Sequence, residues 1–589
     1  MKRYIALFAA VLLIVSGLTG SFEAEAGEIK LPYEVEKFSD VPEDHWAYET
    51  VHYFRYLDIA QGIGENIFGL GRPIKKSEFI TMLVRIMGWE PLETENSSFS
   101  DVSKDKWYHP YIEAAVAHGA VLKETDSFSP DKPITRMELA EAIVRALGYG
   151  ELAEQLDQLP SEFADVTAGA GYASIIKNFG ISNGIDGVRF SPDSTAKRED
   201  AVAMLIRMYQ RLNSGINELH AFYAIKSYDK ADMIKDLNSV SFGWSRLEYD
   251  EEQSSFAVAF DRSGKSDFFI PEGYSEPINI AKQNNISMQL NLFASNETKI
   301  KNPSGEGQAG LVEGLLIDAE AQSEVISQIV RALNNTPVEN DVISFDGIVV
   351  DFENLRGERL KELYNGFLSR LSSELKKSNK KLYVAVHPQR AGGQAYYDGY
   401  DYKTIGEIAD QVILMAHDYN AVSLTENEMA IGYNDTPLTP INEVYYALKA
   451  ITDKDTGVAD LSKIWLQLSF DTAQWKMADG KVINQNAFRP SYEQLRDRMI
   501  KNESGSDLSL KYSERLQNPW LTYHNSSDGT DNIIWYEDTR SINAKIELAK
   551  LFGINGISLW RLGIIPDFEE PDGIKTNLDI WQAIKKQKQ

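Results

Sequence analysis

The chain has 589 residues, of which 43% are hydrophobic and 25% charged. This composition is typical of globular protein, and the length exceeds what one hydrophobic core supports, so we expect several domains. The formal net charge of −27 argues against general nucleic-acid or membrane-surface binding, because both require basic patches. There is no cysteine, which excludes disulfides and thiol chemistry.

The start of the chain has the pattern of an export signal. It is basic, an apolar run at 5–15 is too short for a membrane span, and residues 24–26 fit a small-x-small cleavage site. We therefore expect residues 1–26 to be a signal peptide and the mature chain to begin near Gly27, with no stable membrane span after cleavage. An uncleaved anchor helix is the alternative.

Three internal repeats follow, and each opens on a Phe-x-Asp-Val motif, at Phe38, Phe99 and Phe163. Each motif precedes a helix-like segment, a glycine-containing turn and a closing amphipathic helix. Units this short bury their own apolar faces poorly and should pack on one another. The expected opening helices are 45–57, 107–118 and 172–179, and the expected repeats are 35–92, 96–152 and 160–215.

The repeats resemble S-layer homology domains, whose units carry a Thr-Arg-Ala-Glu-like motif before the last helix. The matching residues are Thr-Arg-Met-Glu at 135–138, Lys-Arg-Glu-Asp at 197–200 and Lys-Lys-Ser-Glu at 75–78. The resemblance implies that a cation of each motif holds acidic or pyruvylated groups of secondary cell-wall polysaccharide. Arginine suits this task because its planar fork binds a carboxylate with two hydrogen bonds. These cations are Arg136, Arg198 and the weaker substitute Lys76.

Aromatic residues add to the expected polymer-binding grooves. Trp46 and Trp107 occupy matching places in the first two repeats, where the third repeat has Gly171. The alternative for the arginines is that they only form ion pairs at helix ends, Arg136 with Glu138 and Arg198 with Asp200. With the export signal, the resemblance implies a secreted protein attached to the cell wall or S-layer of a bacterium.

From residue 217 onward, apolar β-rich runs alternate with helical segments, which is typical of parallel β/α units. Eight such runs predict a (β/α)8 TIM barrel over 217–589, with helices at 358–377 and 539–552 among those between the strands. The fold class is therefore multidomain, a three-repeat α-helical module followed by an α/β barrel. The predicted strands are 220–225, 239–244, 286–293, 345–351, 382–386, 411–415, 464–469 and 556–560.

Two acids end the fourth predicted strand. Asp351 and Glu353 lie at i and i+2, so their side chains share one face of the strand. Two carboxylates forced together repel, and one pKa rises so that this group keeps its proton near neutral pH. A protonated acid beside an ionised one is the pair of catalytic groups used in glycoside hydrolysis.

The barrel resembles glycoside hydrolase family 18. The family signature Asp-Gly-x-Asp-x-Asp-x-Glu stands at 346–353 as Asp-Gly-Ile-Val-Val-Asp-Phe-Glu. The resemblance implies that Glu353 is the general acid and that Asp351 orients the 2-acetamido group of the substrate, whose oxygen is the nucleophile. This substrate-assisted retaining route departs from the two-carboxylate scheme and requires an N-acetylated sugar at the cleaved position.

Further matches imply substrate contacts after other strands. Met415-Ala-His417-Asp418 resembles the family's Met-x-Tyr-Asp, with His417 in the Tyr place, and Trp560 matches the tryptophan that floors the sugar subsite. His387 follows the fifth strand as a substrate contact or a strand cap. Because histidine titrates near pH 6.5, His417 would make this contact sensitive to pH.

Val349 is a departure, because it stands where the family has an acid beside Asp351. Segments 351–355 and 535–541 look most like the branch of spore cortex-lytic N-acetylglucosaminidases, which act on peptidoglycan and usually have Asn at that place. Three functions stay open: a wall-anchored glycosidase acting on peptidoglycan, a barrel that binds glycan with weak or no activity, and a chitinase. No His-Glu-x-x-His spacing or phosphate-binding loop is present, so we expect neither metal nor cofactor.

Overall fold

The computed structural model describes residues 35–588 except 263–265, 304, 340, 391–396, 421–422, 502–506 and 571–572. The predicted signal peptide at 1–26 therefore lies outside the described residues. Within the described ranges, no helix is both long enough and apolar enough to cross a membrane.

The first part of the described chain is a helical module of three units joined in a ring. The backbone N–H of Ile134 donates to the carbonyl of Ile74, that of Ile74 to Ala196, and that of Ala196 to Ile134. The closing helices of the three units begin at this ring, with Lys76, Arg136 and Arg198. Each unit therefore covers an apolar face of the next. The helices of the module are α1 (Tyr48–Tyr56), α2 (Lys76–Ile86), α3 (His109–Ala117), α4 (Arg136–Ala146), α5 (Gly150–Leu156), α6 (Ala170–Asn178) and α7 (Arg198–Leu212).

Helix α5 is not among the sequence predictions. It lies between the second and third repeats and packs against α6, where a Cβ atom on Gly171 would lie 1.8 Å from the carbonyl oxygen of Ala153. Glycine at 171 is therefore required by this close approach. With seven residues, α5 is too short to give a clear helical periodicity in the sequence.

The second part is a closed barrel of eight parallel strands, because the first strand, Glu218–Tyr223, pairs with the second, Ser239–Asp250, on one side and with the eighth, Gly556–Trp560, on the other. Every predicted strand overlaps an observed one, so the predicted barrel is confirmed. The barrel strands are β1 (Glu218–Tyr223), β2 (Ser239–Asp250), β3 (Ser287–Ser295), β4 (Gly347–Glu353), β5 (Lys381–Val386), β6 (Gln411–Leu414), β7 (Ile464–Ser469) and β8 (Gly556–Trp560).

Residues of β4 alternate between two environments. Ile348, Val350 and Phe352 belong to the main core, whereas Val349 belongs to a separate apolar cluster with residues of β1, β5, β6 and β7. That second cluster fills the barrel interior. Asp351 and Glu353 share the face of Val349, so they point inward at the carboxyl end of the strand.

Helices and additional strands surround the barrel. A five-stranded antiparallel sheet inserted between β7 and β8 was not predicted; its strands are Ala473–Ala478, Lys481–Val482, Ser509–Ser513, Asn518–Asn525 and Thr530–Trp535. The other additional strands are Ser255–Ala259, which pairs with β2, Lys299–Lys301 with Gln308–Gly310, and Thr336–Val338 with Asp341–Ile343. The helices are α8 (Ser275–Gln283), α9 (Leu311–Leu316), α10 (Ala319–Asn334), α11 (Glu358–Lys377), α12 (Tyr402–Ile408), α13 (Glu426–Ala430), α14 (Ile441–Ile451), α15 (Tyr492–Lys501), α16 (Thr539–Leu551) and α17 (Ile580–Gln587), with 3-10 turns at Tyr228–Asp236, Leu461–Lys463 and Leu562–Ile564.

The third repeat and α5 contact the barrel. The ring of Phe179 meets those of Tyr445 and Phe552, at centroid distances of 6.4 and 5.4 Å. Asn178 donates to the Tyr445 hydroxyl at 2.6 Å, and the Tyr149 hydroxyl donates to the carbonyl of Ala544 at 3.3 Å. An apolar centre with polar contacts around it is the usual composition of a specific interface.

Candidate active site

The site is centred on Asp351 and Glu353 at the carboxyl end of β4, the end of a TIM barrel at which catalytic residues lie. Asp351 is 4% exposed, and its Oδ1 atom has no hydrogen-bond partner among the described residues. Glu353 is half-buried and ends the strand. A buried carboxylate oxygen without a partner carries a large desolvation cost, so this atom is suited to receive an N–H from a ligand.

Asn291 on β3 is the polar neighbour of Asp351. Its Nδ2 donates to Asp351 Oδ2 at 3.4 Å, and its side chain is fully buried. Asn291 is not among the residues that the sequence motifs predict for the site. The available signal was a polar residue at an inward position of an otherwise apolar strand.

His417 follows β6 and lies between two acceptors. Its Nδ1 is 2.8 Å from Asp418 Oδ2, and its Nε2 is 2.7 Å from Oε1 of Gln467 on β7. A carboxylate oxygen and an amide oxygen are both acceptors, so this arrangement favours the imidazolium form of His417. Burial acts to lower the pKa of His417, but the adjacent Asp418 carboxylate outweighs it, and the pKa is raised. Gln467, which is also a polar residue inside an apolar strand, is not among the predicted site residues.

The other predicted contacts surround the same end of the barrel. Met415 is buried in the interior cluster, and Trp560 packs against that cluster, with its ring 5.3 Å from that of Phe222. Trp560 is half-buried. His387 follows β5, and burial lowers its pKa to about 4, so it is neutral at pH 7. Trp244, Trp465 and Trp475 are all buried.

The two carboxyl groups differ in charge state. Burial raises the pKa of both Asp351 and Glu353, and the negative charge of Asp351 raises that of Glu353 further. The hydrogen bond from Asn291 and the charge of His417 oppose the rise for Asp351. Glu353 therefore keeps its proton to higher pH than Asp351. One carboxyl group can then donate a proton while its neighbour is charged.

The cations of the helical module lie at contacts between repeats. Nε of Arg136 donates to the carbonyl of Phe190 at 2.7 Å, and Nε of Arg198 donates to that of Phe68 at 2.9 Å. Arg198 also pairs with Glu78 at 2.8 Å. Both arginines are buried, at 9% and 3% exposure, so each links its helix to the neighbouring repeat.

The alternative expectation is that Arg136 pairs with Glu138 and Arg198 with Asp200. The described residues form other ion pairs instead. Glu138 pairs with Lys76 of the first repeat, at 2.5 Å between Nζ and Oε1, rather than with Arg136. Trp46 and Trp107 are 59% and 57% exposed, which is unusual for indole side chains. Exposed indoles are available for contact with a ligand.

Comparison with known families follows the same division of the chain. Residues 306–564 match the model "Glycosyl hydrolases family 18", and residues 98–140 match the model "S-layer homology domain". The second match falls within the second of the three units.

Relatives match each part separately. The "Cortical fragment-lytic enzyme" of Bacillus anthracis is 26% identical over 298 residues, 49% of this chain and 61% of that protein. The "S-layer protein" of Bacillus thuringiensis subsp. finitimus is 26% identical over 193 residues, 32% of this chain and 23% of that protein. The chain therefore spans only part of these relatives.

Among solved structures, the Bacillus cereus spore cortex-lytic enzyme SleL is similar, with 22% identity and a TM-score of 0.47 over 63% of this chain and 75% of that chain. The family matches agree with the two resemblances in the sequence, and they fall on the parts of the chain that the structure separates into helical module and barrel. Residues 306–564 of the barrel therefore match glycoside hydrolase family 18, and residues 98–140 of the module that precedes it match the S-layer homology domain.

Proposed function

We propose that this protein is a cell-wall-anchored glycosidase that cleaves β-1,4 bonds of N-acetylglucosamine-containing glycans, with peptidoglycan as its substrate. The observation that carries the proposal is the pair of carboxyl groups that Asp351 and Glu353 place on one face at the end of β4, where burial and the charge of Asp351 raise the pKa of Glu353. The same barrel end gathers the cation His417 and the half-buried indole of Trp560.

The proposed reaction has two steps. Glu353 gives its proton to the glycosidic oxygen as the C1–O bond breaks, and the acetamido oxygen of the substrate bonds to C1 to form an oxazolinium ion. Water then attacks C1 as the bond from C1 to the acetamido oxygen breaks, the acetamide is regenerated and the proton of the water passes to Glu353, which gives retention of configuration. Asp351 Oδ1 accepts the acetamido N–H, and its negative charge stabilises the positive ring.

The positive charge of His417 is maintained by Asp418 and Gln467, which contact its two ring nitrogens, so His417 acts on a ligand through its charge. A ligand oxygen near this imidazolium would gain a charge-assisted contact, which is stronger than a neutral one. Trp560 offers an apolar face against which a pyranose ring can stack. These roles place the N-acetylated sugar between Asp351 and Trp560.

Peptidoglycan is favoured over chitin because the relatives that match this barrel include proteins named cortical fragment-lytic enzyme. Val349 motivates a second candidate, a barrel that binds glycan without cutting it, because position 349 of the strand does not supply Asp351 with a second acidic neighbour. The first experiment incubates the mature chain with purified peptidoglycan, spore cortex and chitin oligomers and measures reducing ends. We expect release from peptidoglycan and cortex; binding without release would favour the second candidate, and preferential release from chitin would favour a chitinase.

The helical module is proposed to hold the protein on secondary cell-wall polysaccharide. Arg136, Arg198 and Lys76 shape the clefts between repeats, and Trp46 and Trp107 offer exposed ring faces at two of them. At the third, Gly171 is covered by α5, so we propose that two clefts supply aromatic contact.

We expect Trp46→Ala with Trp107→Ala to weaken binding to purified cell walls, because each change removes an exposed apolar face. Loss of one hot-spot contact costs about 1.4 kcal/mol or more, which is about tenfold in Kd per residue. Pelleting with cell walls over a range of wall concentrations measures the change.

Tyr56→Ala is the matched control, since Tyr56 is 46% exposed in the same module but is not at a matching aromatic position. The control should pellet as the parent chain does. Equal pelleting of the double variant and the parent would refute the proposed clefts.

A further inference from the structure

The polar partner of Asp351 is supplied by a neighbouring strand. In the β3–β4 register, Asn291 is paired with Val349, and both side chains are fully buried. The polar group at this level of the barrel is thus on β3, while β4 carries an apolar residue. Resting on the proposed function, we propose that Asn291 is a positioning residue that keeps Asp351 ionised and fixes its free oxygen toward the substrate.

The chemistry of the amide explains why this partner matters. Nδ2 of Asn291 can only donate, so it favours the ionised carboxylate, whereas an acidic partner would share a proton with it. The contact uses Asp351 Oδ2 and leaves Oδ1 without a partner among the described residues. With Asp351 held in its charged form, the proton of the pair remains on Glu353.

The other titratable groups around Asp351 have defined charge states. Glu353 shares its strand, His417 faces it from the end of β6, and Tyr364 on α11 and Tyr400 before α12 lie close enough to sense its charge. Burial raises the pKa of both tyrosines well above the usual value, so they stay neutral. A change at Asn291 therefore acts on the Asp351–Glu353 pair.

Asn291→Asp is the sharpest test, because it keeps the shape of the side chain and replaces a donor with a titratable acid. Loss of the donated bond and gain of a like charge both raise the pKa of Asp351. The acidic limb of the kcat/KM profile should then move up by about one pH unit, with about tenfold lower activity on that limb. Circular dichroism and the thermal midpoint report whether each variant is folded.

Moving the amide side chain from β3 to β4 should restore the pH profile. Asn291→Val should also move the acidic limb upward, and adding Val349→Asn should move it back, because the donor then approaches Asp351 from β4. A merely structural role for Asn291 would lower the amount of folded enzyme without moving the limb. An unmoved limb in folded Asn291→Asp would overturn the inference.

A measurement without substrate separates this inference from the proposed function. Titration of the Asp351 carboxyl by 13C NMR, assigned with Asp351→Asn, should show the same upward shift in Asn291→Asp. An inactive parent chain with this shift would reject the glycosidase proposal and support the role of Asn291. An active parent chain without the shift would support the glycosidase proposal and reject the role of Asn291.

Discussion

Glu353→Gln should lower hydrolysis of peptidoglycan by about 10²–10⁴-fold, which is the usual contribution of a positioned general acid. Gln has nearly the shape of Glu, so the barrel should fold as before, but it has no proton to give to the leaving oxygen. The loss should appear in kcat more than in KM, because the proton moves only as the bond breaks. Reducing-end release, measured at several substrate concentrations, separates the two.

The matched control is Glu358→Gln. Glu358 follows the same strand at the start of α11, where its side chain is 72% exposed and pairs with Lys361 on the surface. Surface changes of this kind have little effect on folding or on a distant reaction. If Glu353→Gln keeps the rate of the parent chain, then Glu353 is not the acid.

The second large effect concerns the stability of the barrel. Lys545 on α16 and Glu537 just before that helix form a buried ion pair at 2.7 Å, and their side chains are 0% and 4% exposed. Ser541 and Asn518 also donate to Glu537, at 2.5 and 2.8 Å. Lys545→Met should lower the free energy of unfolding by about 3–5 kcal/mol, because it leaves a buried carboxylate without its cation.

Two further variants test the cause of this loss. Adding Glu537→Gln to Lys545→Met should restore most of the stability, since no charge is then buried. Lys377→Met removes a surface pair with Glu374 and should cost less than about 1 kcal/mol. Urea midpoints followed by tryptophan fluorescence compare the four chains; equal midpoints for Lys545→Met and Lys377→Met would contradict the argument.

The segment at 535–541 illustrates how a sequence match can have a structural cause. It was one of the features that favoured the cortex-lytic branch. In the structure, Glu537 forms the buried ion pair, and Asp538 caps α16 by accepting from the N–H groups of Arg540 and Ser541. We therefore attribute the match to the packing of α16 rather than to contact with substrate.

Local pattern was sufficient for much of the fold. Each barrel strand is a short apolar run, and parallel strands buried on both faces give that signal wherever they occur. The period of two of a strand also predicts that Asp351 and Glu353 share one face. Helix α5 and the inserted antiparallel sheet were missed, because a seven-residue helix and half-exposed strands give weak periodicity.

The sequence by itself determined the barrel, its eight strands and the acid pair on β4, because these depend on residues that are near one another in the chain. Only the tertiary structure decided which groups surround that pair. Asn291 and Gln467 are 60 and 50 residues away from the partners to which they bond. Their contacts depend on strand register and on closure of the barrel, and no local pattern contains that information.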